Sequence, residues 1–155
     1  MAILKFDLDR QFLEVIDAPL HNCHYDMLRY WVMPAEGGGL GFLCMSGYNA
    51  QLWMRKMDCD GISGWVLGRT IELDKLLLNS GEDFPPLIIG FAEEDNMSFL
   101  MASIDGNISG IMVKLDSTQF QKPFRIECLG IYHPFASVYT PGIGIGGGHA
   151  GAEHR

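Results

Sequence analysis

The stretch that decides the fold is residues 50–61, which read AQLWMRKMDCDG. In its first part Ala50, Leu52 and Met54 alternate with Gln51, Trp53 and Arg55, so that successive side chains take opposite sides of an extended chain. A period of two over this length predicts a half-buried β-strand at residues 50–57. The following DCDG is a cluster of turn-forming residues, so we expect the chain to reverse there.

The same junction, an apolar residue plus Asp at the end of a strand, recurs about every fifty residues. It occurs as Leu8-Asp9, Met57-Asp58 and Leu115-Asp116. A period of this size made of short strands is typical of β-propeller blades. The repeat therefore predicts a fold, but it carries no information about a reaction.

Residues 29–71 are predicted to hold four antiparallel strands, which form one blade. These strands are expected at residues 29–33, 40–46, 50–57 and 64–71. A second set is predicted at residues 87–92, 97–103, 108–115 and 119–126. A hairpin at residues 3–16 matches the last two strands of an earlier blade.

The predicted fold class is therefore all-β, with antiparallel four-stranded blades in a partial β-propeller of about two and a half blades. A short connecting helix is expected at residues 73–78, and a loop at residues 21–28. Residues 1–140 are predicted to form the propeller domain. Residues 141–155 are rich in glycine and are expected to be a flexible tail.

Composition narrows the class of function. The chain has 155 residues, 48% hydrophobic and 19% charged, with a net charge of −8. The Lys and Arg residues form no cluster, which argues against a nucleic-acid partner or an anionic membrane surface. The chain contains no apolar run long enough for a membrane span and no secretory signal. Four widely spaced cysteines favour reduced thiols and a cytoplasmic or nuclear location.

Two segments contain residue types that bind metals, but neither has a complete ligand pattern. His21, Cys23 and His24 lack the second ligand pair of a structural zinc site. Asp58 and Asp60 begin a calcium-loop pattern that fails further along, since positions 62 and 66 are apolar. We expect no bound metal, and we interpret the first segment as a loop and the second as a turn.

No catalytic or cofactor-binding residue is predicted. Residues 142–147 satisfy G-x-G-x-x-G, but only eight residues follow, which leaves no room for the helix that a dinucleotide site requires. The chain contains neither G-x-S-x-G nor H-E-x-x-H. The sequence therefore favours a protein without enzymatic activity.

The aromatic residues are interpreted mainly as packing residues. Trp31, Trp53 and Trp65 are expected in the core, with Trp53 and Trp65 as a cross-strand pair. Four aromatic residues lie in or near predicted loops: Tyr48, Tyr132, His133 and Phe135. If they are exposed, they would suit a protein-binding face.

Several short segments, taken together in their order and spacing, resemble the plant F-box-associated β-propeller family, in its grass-lineage branch. The resemblance covers the chain from Ile3 onward. Its main segments are EGGGLGF (36–42), QLW (51–53), GWVL (64–67), TIELDKL (70–76), LIIGFAEE (87–94), YHPF (132–135) and GIGGG (144–148).

The resemblance implies a function in protein recognition. In that family an N-terminal F-box binds the Skp1-type adaptor of a ubiquitin ligase, and the propeller is thought to recruit the substrate protein. No segment of this sequence resembles an F-box, so a Skp1-type adaptor is not an expected partner. The predicted function is a substrate-recruiting module whose protein target is unknown. The alternatives are a decoy or a non-functional fragment uncoupled from the ligase and, less favoured, a propeller-type hydrolase.

Open blade edges are expected to promote self-association. The acidic surface favours a partner with basic patches.

Overall fold

A computed structural model describes residues 1–19, 29–74, 77, 85–127 and 130–132. In these residues every regular element is a β-strand, and all pairings are antiparallel. The strands are β1 (Ala2–Asp7), β2 (Phe12–Asp17), β3 (Tyr30–Pro34), β4 (Leu40–Ser46), β5 (Asn49–Met57), β6 (Ser63–Glu72), β7 (Leu87–Ala92), β8 (Met97–Ile104), β9 (Asn107–Lys114), β10 (Gln119–Phe120) and β11 (Phe124–Arg125). They form three open sheets, so the predicted all-β class is confirmed.

The first sheet is the N-terminal hairpin, formed by β1 and β2. Its turn is stabilised by Asp7, whose Oδ1 accepts hydrogen bonds from the backbone N–H groups of Asp9 and Arg10 at 3.0 and 2.9 Å. An aspartate that bonds the backbone two and three residues ahead satisfies donors that no strand partner reaches. The hairpin predicted at residues 3–16 is confirmed and is one residue longer at each outer end.

The middle sheet contains β3, β4, β5 and β6 in sequence order, as predicted for residues 29–71. Its pairing is continuous from Tyr30↔Cys44 to Asn49↔Glu72, apart from one irregularity in the β5–β6 register at Leu52/Trp53. The strands are bounded where Gly and Asp residues allow the chain to turn.

The C-terminal sheet has the order β10-β9-β8-β7, and β11 also pairs with β9. The hairpin between β8 and β9 turns at Asp105 and Gly106, which have φ values of 51° and 75°. Two successive residues with positive φ are the requirement of a type I′ hairpin turn, and the sequence Asp-Gly meets it.

The single strand predicted at residues 119–126 is wrong, because the chain divides it into two short strands. Gln121 still donates its N–H to the carbonyl oxygen of Met112 at 3.0 Å, but regular pairing resumes only at Phe124. Pro123 lies between them and has no N–H to donate, which interrupts a ladder of strand hydrogen bonds.

Two hydrophobic clusters place the middle sheet between the other two sheets. The cluster between the middle and C-terminal sheets contains Leu43, Ile88, Leu100 and Val113, all 0–1% exposed. The cluster between the middle sheet and the hairpin contains Ile3, Ile16, Ala18, Phe42 and Cys44. Consecutive residues of β4 therefore contribute to opposite clusters, because side chains alternate between the two faces of a strand. The strand that was predicted to be half-buried at residues 50–57 therefore has a neighbouring sheet on each of its two faces.

The tryptophans pack as predicted, but the predicted Trp53–Trp65 pair is not formed directly. Trp53 lies opposite Leu67 and Trp65 lies opposite Arg55, because the turn at residues 58–62 begins the register at Met57↔Ser63. Trp65 instead contacts Phe42, with ring centroids 5.9 Å apart. Its Nε1–H donates to the carbonyl oxygen of Asp17 at 2.7 Å and so ties the hairpin to the middle sheet.

Three predicted segments fall partly or wholly outside the described residues. Of the helix expected at residues 73–78, the described part shows the Leu77 N–H donating to the carbonyl oxygens of Leu73 and Asp74, both at 3.1 Å. The loop at residues 21–28 and the tail at residues 141–155 lie outside the described ranges.

Candidate interaction surface

Four turns of the middle and C-terminal sheets point towards one end of the molecule; three of them meet at a shared cleft, and the β5–β6 turn extends beyond the end of β4. In an antiparallel meander alternate turns lie at the same end, so the β3–β4 turn (35–39) accompanies the β5–β6 turn (58–62). For the same reason the β7–β8 turn (93–96) accompanies the β9–β10 turn (115–118). One cleft is lined by residues of both sheets, including Glu36, Asn96 and Asp116, which places the two ends side by side.

These four turns carry a concentration of negative charge. All seven of their carboxylates are exposed, and none of the turns contains Lys or Arg. We call this set the acidic rim: Glu36, Asp58, Asp60, Glu93, Glu94, Asp95 and Asp116. A surface of one charge sign attracts partners of the opposite sign and raises their rate of encounter.

Local hydrogen bonding fixes part of the rim. The Oδ1 atom of Asp58 accepts the backbone N–H groups of Asp60 and Ile62 at 3.0 and 2.8 Å. This side chain therefore forms the turn, as Asp7 does in the N-terminal hairpin. Lys114 lies 4.0 Å from the Asp116 carboxylate, and since both side chains are largely exposed, the ion pair reduces the local charge only weakly.

Below the rim, a cleft of about 130 Å³ opens between the middle and C-terminal sheets. Its apolar lining includes Met33, Leu52 and Met54, and its polar lining includes the rim residues Glu36 and Asp116. A small apolar recess beside exposed charges has the make-up of a protein-contact surface, where an apolar centre is surrounded by a polar border.

Arg69 lines the same cleft and joins the two sheets. Its Nη1 group donates to the carbonyl oxygen of Leu115 at 2.9 Å and also to that of Asp116. The guanidinium of β6 thus holds the β9–β10 turn in place. Its hydrogen bonds go to neutral carbonyl oxygens, so the guanidinium keeps its positive charge and offsets part of the negative charge of the rim at this point.

Of the candidate metal-binding residues, the structure describes only Asp58 and Asp60. Asp58 and Asp60 belong to one turn, where Asp58 bonds the backbone, while His21, Cys23 and His24 lie outside the described residues. In the part of the chain that the structure describes, no group of three or more His, Cys, Asp or Glu side chains is close enough to hold a metal ion. The rim carboxylates are therefore distributed along a border and do not converge on a point.

The remaining predicted residues are placed as follows. Cys44 is buried and Cys59 is exposed, and both are reduced cysteines. Tyr48 is half-buried against the cluster between the middle and C-terminal sheets, and Tyr132 is half-buried over the C-terminal sheet. Neither is the freely exposed loop aromatic that a binding face would use. His133, Phe135 and the glycine motif at residues 142–147 lie outside the described ranges.

Sequence reasoning noted the acidic residues individually but missed their convergence. The signal was present, since the acidic groups follow every second strand of two predicted meanders. Alternate turns share an end, so the pattern predicts one acidic end for each meander, while the stacking of the two sheets brings those ends together.

A scan against protein-family models, a search of curated proteins and a search of solved structures each found no match to this chain. The described residues contain no helix that is long and apolar enough to cross a membrane.

Proposed function

We propose that this chain is a non-enzymatic protein-recognition module built as a partial β-propeller, similar to the substrate-recruiting domain of F-box ubiquitin ligase receptors. The observation that carries the proposal is the acidic rim. Seven exposed carboxylates from four turns lie at one end of two stacked sheets, and the same turns contain no basic residue.

The stacking of the sheets supports the propeller arrangement. The middle and C-terminal sheets each contain four successive strands joined by three antiparallel pairings, and they pack face to face through one hydrophobic cluster. Their first strands, β3 and β7, also contact each other. First strands that approach one another are expected where blades surround a central axis.

The repeated sequence junction supports the same arrangement. Leu8-Asp9 lies in the β1–β2 turn, Met57-Asp58 at the β5–β6 turn and Leu115-Asp116 at the β9–β10 turn. In each case the junction precedes the last strand or strands of a sheet. The hairpin thus corresponds to the last two strands of a blade.

The rim is suited to binding rather than to chemistry. Strands packed on both faces hold the turns rigidly, and rigid turns lose little conformational entropy when a partner binds. The net charge of −8 favours a partner with a basic patch, whose lysines and arginines would lie along the rim. An apolar side chain of that partner would enter the cleft beside Met33 and Leu52.

The experiment is affinity capture of cross-linked partners by the tagged full chain, with quantitative mass spectrometry. The rim variant is Glu93→Gln with Glu94→Gln, which removes two exposed charges from the β7–β8 turn. The matched control is Asp105→Asn with Glu127→Gln, which removes two exposed charges away from the rim. We expect the rim variant to lose basic partners by about tenfold, and the control to retain them.

Salt dependence and the adaptor provide two further readouts. Capture should weaken as ionic strength rises, because exposed charges are screened beyond about 10 Å at 0.1 M salt. Partners held equally by the wild type and the rim variant would refute the rim as the recognition surface. Direct binding of a purified Skp1-type adaptor to this chain would contradict the prediction that the adaptor is not a partner.

A further inference from the structure

The N-terminal hairpin has one covered face and one uncovered face. Ile3 and Ile16 lie opposite each other and are 8% and 4% exposed, because they pack against the middle sheet. The adjacent cross-strand pairs point the other way. These are Leu4 with Val15 and Phe6 with Leu13, and the four side chains are 67%, 64%, 56% and 52% exposed respectively.

This outer face is the main apolar patch among the described residues. The four side chains are contiguous, since directly opposite residues on one face of an antiparallel pair have Cβ atoms about 5 Å apart. Leu8, which is 81% exposed, extends the face at the turn. Phe12, which is 61% exposed, lies beside the turn on the opposite face of the hairpin, and Met1, which is 44% exposed, precedes β1. The remaining exposed large apolar residues are spread over β3, the β5–β6 hairpin, β9 and the segment after β11: Val32, Met57, Ile62, Val66, Leu67, Ile108 and Ile131.

Two charged side chains in the middle of the hairpin strands lie on its covered face, whereas Asp17, at the end of β2, follows Val15 on the outer face. Lys5 and Glu14 are directly opposite each other, and Glu14 reaches Arg55 of the middle sheet at 2.9 Å. The outer face presents only leucine, valine and phenylalanine between the strand ends. The centre of this face has no charged group that a partner of opposite charge could recognise. When it packs against another apolar sheet, it buries no unpaired charge.

We propose that this outer face is a self-association surface, on which a second copy of the chain packs its own hairpin across a two-fold axis. An interface between unlike patches would need a second apolar patch on the same molecule, and the remaining exposed apolar residues of the described chain are scattered. A two-fold contact needs only one patch, because it is used by both copies. Two apolar sheet faces pack about 10 Å apart, as in a β-sandwich.

The area of the patch sets the strength of the association. At roughly 100 Å² for each exposed large apolar side chain, the four residues and Leu8 offer about 500 Å². A standard-size interface uses about 800 Å² from each partner. The dimer is therefore reversible and belongs to the smaller, transient class of interface.

Charge gives this association a salt dependence opposite to that of the acidic rim. Each copy carries a net charge of −8, so two copies repel each other at low ionic strength. Screening by salt reduces that repulsion and strengthens the dimer. A rise in salt concentration weakens the binding of a basic partner to the rim. The self-association stands on the hairpin alone, so the failure of one proposal leaves the other intact.

The experiment is sedimentation velocity of the full chain between about 1 and 200 µM, at about 0.05 and 0.5 M salt. The test variant is Leu4→Thr with Val15→Thr, which keeps residues of high strand propensity on the exposed face. The matched control is Val66→Thr with Ile108→Thr, where two exposed apolar residues of β6 and β9 are changed. Circular dichroism and the urea midpoint confirm that both variants fold.

We expect the wild type to dimerise in the micromolar range, and more tightly at the higher salt concentration. The test variant should bind itself at least about tenfold more weakly, while the control stays within about twofold of the wild type. A wild type that remains monomeric at the highest concentration would overturn the proposal. Dimerisation that the test variant leaves unchanged would also overturn it, and would locate the contact elsewhere.

Cysteine labelling of a variant with a single substitution tests the same face of the hairpin. In Val15→Cys, the rate of maleimide labelling at position 15 should fall as protein concentration rises. Cys59 is exposed and lies in the β5–β6 turn, so its labelling rate serves as the internal control and should stay constant. If both thiols keep constant rates over the whole concentration range, the outer face of the hairpin is not an interface.

Discussion

The two sheets that flank the middle sheet differ in how far their outer faces are covered. The C-terminal sheet is covered on that side by parts of its own chain, since the ring of Phe124 lies over Gly110 and the backbone of Tyr132 lies over Gly90. The N-terminal hairpin leaves its outer face open, with Leu4 and Val15 both more than 60% exposed. The comparison shows that stacking buries only the inner faces, and that an outer face needs a further segment to cover it.

Two glycines allow the C-terminal covering segment to approach closely. A Cβ atom at Gly110 would lie 2.2 Å from the ring of Phe124, and one at Gly90 would lie 2.2 Å from the carbonyl oxygen of Tyr132. The ring of Phe124 thus lies against the bare backbone of β9, and the Tyr132 backbone lies against β7. The N–H of Tyr132 also donates to the carbonyl oxygen of Ile89. The hairpin has no corresponding glycine in its strands.

Adjacent residues of β4 offer the sharpest test of how the two flanking sheets contribute to stability. Leu43 faces the C-terminal sheet and Phe42 faces the hairpin, and both are at most 1% exposed. We expect Leu43→Ala to lower the free energy of unfolding by about 2–5 kcal/mol and Phe42→Ala by about 3–5 kcal/mol. Urea denaturation followed by tryptophan fluorescence measures both values.

The urea slope then shows whether the hairpin unfolds with the rest. If the three sheets form one cooperative unit, each variant shifts the midpoint and keeps the wild-type slope. A Phe42→Ala variant with an early, separate transition would instead show that the hairpin detaches on its own. Phe42→Leu, which keeps most of the apolar volume, provides a milder second variant if the alanine variant is too unstable to measure.

The covering segment of the C-terminal sheet is tested by Gly90→Ala. The added methyl group collides with the Tyr132 backbone, so we expect a loss of about 1–3 kcal/mol and faster amide hydrogen exchange in residues 130–132. The control is Gly64→Ala in β6, where a Cβ atom meets nothing within 4 Å. That change should leave stability equal or raise it by about 0.5 kcal/mol. Equal effects of the two substitutions would contradict the close approach at Gly90.

Arg69 tests the connection between the middle and C-terminal sheets. Arg69→Met keeps the length of the side chain but removes the donors to the carbonyl oxygens of Leu115 and Asp116. Because the residue is largely exposed, we expect a loss of only about 1 kcal/mol, together with faster exchange in the β9–β10 turn. Arg10→Met, at an exposed position of the hairpin turn, removes the same charge and should change neither measurement. Equal exchange in both variants would show that the guanidinium does not hold the turn.

The sequence predicted the strands well because period-two patterns and turn residues are local signals. The strand at residues 40–46 and the Asp105-Gly106 hairpin turn depend only on neighbouring residues, and both were predicted correctly. The break at Pro123 was missed, although the residue itself was visible, since its cost depends on β9 being the pairing partner. The predicted Trp53–Trp65 pairing is wrong for a similar reason, because the register depends on where the chain closes the turn, and the register that begins at Met57↔Ser63 is offset by two residues from that pairing.

The candidate surfaces were less predictable because they depend on how sheets stack. The acidic rim requires two sheets to present their turns at the same end, which a residue-by-residue reading does not contain. The open face of the hairpin was closer to prediction. Leu4 and Phe6 alternate with Ile3 and Lys5, so these two pairs of side chains must lie on opposite faces of the strand. The sequence could not show which of the two sets the middle sheet would cover.

The smallest expected effect concerns the ion pair between the hairpin and the middle sheet. Arg55 lies 2.9 Å from Glu14, with side chains 21% and 35% exposed, and Lys5 lies 3.8 Å from the same carboxylate. A double-mutant cycle of Arg55→Met and Glu14→Gln should give a coupling energy of about 0.5 kcal/mol, which decreases at high salt. The Lys5–Glu14 cycle within the hairpin is the reference. A larger coupling for Arg55 than for Lys5 would show that charge, as well as apolar packing, fixes the hairpin on the middle sheet. Two negligible couplings would leave Phe42, Ile16 and the Trp65 hydrogen bond as the attachment.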